Sequence, residues 1–210
     1  MLDEAPPWYY DRALRIPLYR WYHLSRVRAV CRAIPRRPNL LVDVGCDGGT
    51  MTEIVAKCSR AGTVVGIDIG EESVEYARKT KRGIEFYAAD ARNLPLRDGV
   101  ADVVTMLEVL EHVPNPVEAL REAHRVLKPG GLLVVLVPNG ESVLFRSVWS
   151  LWTRTFGRVW RDAHDTDFSE ANLRRVVESF GFRLRSVERV NLGMLILLSA
   201  VKVISSPSKT

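Results

Sequence analysis

The sequence predicts an α/β fold: a doubly wound, mostly parallel seven-stranded sheet whose last strand runs antiparallel. Three observations carry that expectation. Five short apolar runs between residues 40 and 137 alternate with helical segments, the order of a parallel sheet covered on both faces. A glycine-rich turn follows the first run. Two further β-rich runs close the chain with only Asn191, Leu192 and Gly193 between them, a link short enough to make them antiparallel neighbours.

The strands are expected at 40–44, 63–68, 84–88, 101–107 and 132–137, then at 182–190 and 194–204. Thr50 and Glu53 have the spacing of a capping box, which would start a helix after the glycine turn. In NPVEALREAHRVLKPGG, Asn115 reads as the cap, Pro116 as the first helical residue and Gly130 as the left-handed terminator, with Val117, Leu120 and Leu127 facing the sheet. Ser169 reads as the cap of a helix with Leu173, Val176, Val177 and Phe180 at helical spacing, ended by Gly181.

At 210 residues the chain fits one main domain at 39–205, preceded by a helical cap at 1–38, with a lid at 141–165 and a frayed tail at 206–210. Hydrophobic residues at 47% and charged residues at 26% exclude disordered and fibrous classes. Cys31, Cys46 and Cys58 are odd in number and form no CxxC pair, which argues against a disulfide framework and a cysteine-rich zinc site and favours a reducing, cytoplasmic setting. The opening MLDEAPPWYY does not read as a secretion signal, and the apolar stretch 192–204, broken by Lys202, is too short to span a bilayer. A net charge of +5 leaves room for an acidic partner, but the dispersed arginines read first as solvated helix faces, not as a strong nucleic-acid signal.

LLVDVGCDGGT places its glycines between a strand and a helix, where backbone must turn sharply and approach a ligand closely. A tight turn without a ligand would look the same. Three carboxylates sharpen the reading. Asp43 at the first strand end suits an ammonium group, Asp68 at the second can accept from ribose hydroxyls, and Asp90 after the third can accept from an adenine amine. Open parallel sheets bind ligands along this edge, so one ligand with amine, ribose and adenine would satisfy all three.

The succession VDVGCDGG, VVGID, AADARNLP, LEVLEHVPNP and EAHRVLKPGG resembles the class I S-adenosylmethionine-dependent methyltransferases of the methyltransferase type 11 group, particularly the ubiquinone-biosynthesis O-methyltransferases. The resemblance covers roughly residues 40–138. It implies a Rossmann-like methyltransferase fold, S-adenosyl-L-methionine as donor and S-adenosyl-L-homocysteine as product. It also implies that Asp43, Gly45, Cys46 and Gly49 surround the methionine moiety, that Asp68 and Ile69 hold the ribose, that Asp90 and Ala91 hold the adenine, and that Leu107 lies against the sulfonium. Arg26 is the candidate for the donor's carboxylate. The chain departs from the family pattern at Asp47, where a glycine is usual.

Methyl transfer of this type needs in-line alignment and exclusion of water more than covalent chemistry. A hydroxyl acceptor would also need a base. Glu108, His112 and His164 are the catalytic candidates, with Glu111 beside them; Glu111 and His112 could equally orient the loop, and His164 could cap the following helix. No metal site is expected, since His164 with Asp165 and Asp167 is a thin ligand set. The expected lid holds Trp149, Trp152 and Trp160 with Arg146, Arg154, Arg158 and Arg161 interleaved and Phe156 near by, a composition suited to an apolar small-molecule or lipid-like acceptor (an O-, C- or N-nucleophile) and to peripheral membrane contact through 141–161. The competing readings are an RNA methyltransferase, a non-catalytic donor-binding module and an NAD(P)-dependent oxidoreductase; the last requires a G-x-G-x-x-G spacing that Gly45, Gly48 and Gly49 do not have.

Overall fold

The structure, a computed structural model, describes residues 6–155 and 166–203, with 151–155 described by backbone alone. The chain opens with α1 (Tyr9–Ala13) and α2 (Pro17–Ala33), then alternates β1 (Leu40–Val44), α3 (Thr50–Ser59), β2 (Thr63–Asp68), α4 (Glu71–Thr80) and β3 (Glu85–Ala88). β4 (Ala101–Leu107) leads through a short 3-10 turn, Leu110–His112, into α5 (Pro116–Val126) and β5 (Leu127–Pro138). The remaining elements are α6 (Val143–Thr155), α7 (Glu170–Ser179), β6 (Phe182–Val190) and β7 (Leu195–Lys202).

The seven strands form one sheet in the order β3-β2-β1-β4-β5-β7-β6. Pairings from β3 through β5 are parallel, whereas β7 runs antiparallel to both β5 and β6. The order reverses direction at β1, so the ends of β1 and β4 diverge into the crevice where such sheets bind ligands.

Period-two alternation sends successive residues of each strand to opposite faces. Val42, Val44, Val104 and Met106 join Leu120, Ala123, Leu173 and Val177 from α5 and α7 in one core. Leu41, Val103, Val134 and Leu136 join Val27, Val30, Met51 and Val55 from α2 and α3 in the other. Helix α2 therefore closes one face of the sheet. No described helix is long and apolar enough to cross a membrane.

Several local expectations change. Helix α5 stops at Val126, because Leu127 is already extended and paired with Ala101 of β4. Gly130, at φ +78, belongs to a bulge near the start of β5 instead of ending the helix. The sheet-facing stripe of α5 is Ala119, Leu120, Ala123 and Val126, while Val117 is left exposed. Asn115 occupies the cap position without a side-chain bond to the helix. The Thr50–Glu53 capping box does not form: Gly49 is the cap, the Thr50 hydroxyl donates to Asp11, and Glu53 pairs with Lys57. Ser169 does cap α7, in a reciprocal box with Asn172.

The cysteine reading is corrected. Cys31 of α2 and Cys58 of α3 form a disulfide, with Cα atoms 6.0 Å apart, leaving Cys46 as the free, buried cysteine. Sequence spacing could not reveal it, because the two residues meet only when both helices pack on the same sheet face. The ground for expecting a reducing setting falls with it.

Candidate active site

At the carboxyl edge β1 ends at Val44 and the chain turns at once. Gly45 has φ +76, and the amides of Gly45 and Cys46 both donate to the Ile67 carbonyl of β2, at 2.7 and 3.1 Å. A Cβ on Gly45 would lie 2.1 Å from Cγ2 of Val109, beyond the end of β4, so a side chain cannot fit between these two strand ends. Asp47 adopts φ +44, the left-handed conformation that favours glycine. Its amide donates to Asp68 at 2.8 Å and its carboxylate accepts from Ser73 of α4 at 2.7 Å. The departure from the family pattern is thus absorbed locally, with the charge turned onto α4.

Asp43 is buried beneath this turn. Thr52 donates to one of its oxygens at 2.6 Å and Thr105, its register partner on β4, donates to the other. Burial pushes the Asp43 carboxyl up to about 6, with the two hydroxyls opposing and the charge of Asp68 adding to the rise. Asp68, half-buried, accepts from the backbone amides of Asp47 and Gly70. Its carbonyl accepts from Ala89 at 2.8 Å, which brings the ends of β2 and β3 together. Asp90 follows two residues after β3 and accepts a forked pair of bonds from Arg92, which holds its carboxyl below the usual range. Beside Asp68, Ile69 is 64% exposed, an apolar side chain open to solvent at the edge.

The other side of the crevice comes from β4 and α2. Glu108, just past β4, takes φ +59 while its amide donates to Leu136 of β5 at 2.7 Å. Left-handed backbone at a non-glycine residue stores strain that concentrates at working sites. The Glu108 carboxylate pairs with Arg26, so the arginine expected on the donor's carboxylate is engaged within the protein. The Arg26 guanidinium also lies over Tyr10 and Tyr22, 5.5 and 5.7 Å from their ring centroids.

Glu111 is 1% exposed, and neither of its carboxylate oxygens has a hydrogen-bond partner among the described residues. Burial pushes it up to about 8, opposed by the nearby Arg26. His112 is half-buried next to it, and Leu107 is half-buried at the strand end. His164, with Phe156, Arg158, Trp160, Arg161 and Asp165 of the expected lid, lies outside the described residues, and the side chains of Trp152 and Arg154 are not described. Among the described residues no group of three or more His, Cys, Asp or Glu could hold a metal ion.

Three contributions escaped the sequence. Thr52 and Thr105 fix Asp43; the signal was Thr105, a polar residue inside an otherwise apolar strand. Asp11 accepts from Thr50, Tyr76 and Lys81, latching α1 across α3 and α4. His23 is buried among the rings of Tyr9, Tyr10, Tyr19 and Tyr22, and burial pushes its pKa down to about 3.

A sheet of this topology with acidic strand ends around a glycine turn has the carboxyl edge at which open α/β sheets bind nucleotide-like ligands. Comparison with known proteins agrees. Residues 42–135 match the family described as "Methyltransferase domain". A demethylmenaquinone methyltransferase of Staphylococcus saprophyticus is 30% identical over 165 residues, 74% of this chain and 71% of that protein. A ubiquinone biosynthesis O-methyltransferase of Pseudomonas paraeruginosa is 39% identical over 115 residues, 50% of this chain. The chain spans about half the length or less of the first curated relatives it matches, 34% and 47%. Among solved structures, a methyltransferase of Thermotoga maritima described as a possible histamine N-methyltransferase superposes with a TM-score of 0.74 at 25% identity, covering 92% of this chain and 94% of that one.

The chain belongs to the class I S-adenosylmethionine-dependent methyltransferase family. The family's methyl donor is S-adenosyl-L-methionine, and the residues present fit it: a turn at Gly45 closed to side chains, carboxylates at Asp68 and Asp90, and an open apolar side chain at Ile69.

Proposed function

We propose that this chain transfers a methyl group from S-adenosyl-L-methionine to a small, apolar acceptor bound above the ends of β1 and β4. The observation that carries the reading is the gathering of Gly45, Asp68 and Asp90 at adjacent ends of one parallel sheet. When bound, S-adenosyl-L-methionine supplies the methyl group on a sulfonium that is already a good leaving group.

In this reading the Gly45–Gly49 turn receives the methionine part, with Cys46 beside it, and Asp43 supports the turn from below. Asp68 uses its remaining lone pairs for the ribose hydroxyls, since a carboxylate offers about four acceptor sites. Ile69 offers an apolar surface to the base and Asp90, with Ala91, meets its amine. Leu107 lies against the sulfonium end. Glu111, in its ionised form, takes the acceptor's proton: its carboxyl is buried, without a hydrogen-bond partner among the described residues, and is pushed up to about 8, so the fraction able to act as a base grows as pH rises toward that value. Glu108 serves by holding Arg26, and His112 lines the same turn.

The acceptor class we favour is a hydroxylated, quinone-like ring, because two relatives are named for ubiquinone biosynthesis and demethylmenaquinone. The exposed Val143, Leu144 and Val148 on α6 support a lid over such a ring. Calorimetry with S-adenosyl-L-methionine and S-adenosyl-L-homocysteine, followed by radiolabelled methyl transfer to hydroxylated quinones and to transfer RNA, tests the reading. Binding of both nucleosides with turnover on the quinones is expected. Absence of binding removes the reading, and binding without turnover on any acceptor replaces it with a donor-binding module.

A further inference from the structure

Between Arg12 and Val42 the chain carries eight arginines, no lysine and no acidic residue. Arg26 alone among these arginines is buried. Three of the exposed ones, Arg12, Arg15 and Arg20, surround the corner where α1 passes into α2. The acidic residue closest in sequence, Asp11, is engaged by Thr50, Tyr76 and Lys81.

The same corner is apolar at its tip. Ile16 is 51% exposed, Leu18 71% and Trp21 50%. Leu18 and Trp21 lie about one turn apart on α2, on the side opposite the buried His23, Arg26, Val27 and Val30. A helix face made for water would carry polar residues at 18 and 21.

We propose that this corner docks on the anionic headgroup surface of a lipid bilayer. Leu18 and Trp21 enter the interface, and Arg12, Arg15 and Arg20 meet the phosphates around them. The charge is complementary: a block of cations with no acidic residue in its own sequence is attracted by negative lipid surface. Indole prefers the boundary between headgroup and acyl chain. The aliphatic tip separates a bilayer from a nucleic acid, because Ile16 and Leu18 gain by leaving water but offer no ring for a base to stack on. The surface is distinct from α6 and independent of which acceptor is methylated.

The test is sedimentation of the full chain with phosphatidylcholine vesicles, with and without phosphatidylglycerol. The parent protein is expected to bind the mixed vesicles and not the neutral ones. Arg15→Glu with Arg20→Glu should weaken that binding by at least about tenfold, and Leu18→Ser with Trp21→Ser should abolish the part that survives high salt. Leu144→Ser with Val148→Ser on α6 should leave it within about twofold. All substituted positions are exposed, and unchanged circular dichroism and donor titration confirm intact folds. If the parent ignores mixed vesicles, if the corner variants bind as the parent does, or if only the α6 variant loses binding, the proposal fails. It also fails if the corner variants lose affinity for polyuridylate that the parent binds more tightly than vesicles. Donor titration is read separately, so a failure of the methyltransferase reading would not be mistaken for a failure here.

Discussion

Arg26 of α2 and Glu108 at the end of β4 form an ion pair that ties an N-terminal helix to the mouth of the site. Their side chains are only 5% and 19% exposed, so removing one strands the other in a poorly hydrated setting. Arg26→Ala is expected to lower the unfolding free energy by about 3 kcal/mol, and Arg26→Ala with Glu108→Ala to cost less than the two single changes together. Urea unfolding of the four proteins measures the coupling; strictly additive losses would show that the pair does not act as a unit.

Gly45→Ala should damage both fold and donor binding. The new Cβ would meet Val109 at 2.1 Å and force a residue with a side chain to hold φ +76. A loss of about 1–3 kcal/mol is expected from the backbone alone. Val109→Ala in the same chain should recover part of the loss, because it relieves the collision but not the dihedral. Full recovery would mean that the backbone carries no strain.

Asp47→Gly should leave stability within about 1 kcal/mol of the parent, since relief of the left-handed backbone opposes loss of the bond to Ser73. Removing a negative charge from the turn should also tighten binding of S-adenosyl-L-homocysteine, whose carboxylate it would otherwise repel. Titration calorimetry reads the change directly; weaker binding would show that Asp47 organises the turn for its ligand.

Glu111 sets a pH dependence whose sign follows from its burial. The unfolded chain gives up this proton near 4.5, whereas the folded one holds it up to about 8. The native state therefore binds more protons across that window, and Glu111 weakens the fold as pH rises from about 4.5 to about 8, with no further change above. Glu111→Gln should match the parent near about pH 4 and exceed it at about pH 9. Denaturation at several pH values checks this, and methyl transfer should be lost in the same variant if Glu111 is the base.

Most of the strand framework was legible. The expected runs 40–44, 63–68, 101–107 and 182–190 coincide with β1, β2, β4 and β6, because strands buried on both faces must be apolar and bounded by turn residues. The misreadings fall where local signals compete with pairing. Gly130 carries a helix-ending residue's signature, but Leu127 was taken by β4 before the helix could reach it. Thr50 lost its cap role to Gly49 and found Asp11, which lies 39 positions away in the chain.

The site divides in the same way. That Gly45, Asp68 and Asp90 would gather at one edge follows from strand order and polarity, which periodicity and turn spacing encode locally. Which carboxylates are buried, paired or left open does not, because it depends on groups brought together from distant positions: Thr105 onto Asp43 and Arg26 onto Glu108. The sequence by itself determined the scaffold and the chemical inventory of its edge. The tertiary structure decided the burial of Glu111 and the exposure of Leu18 and Trp21, since desolvation depends on everything packed around a residue and on nothing in its immediate sequence.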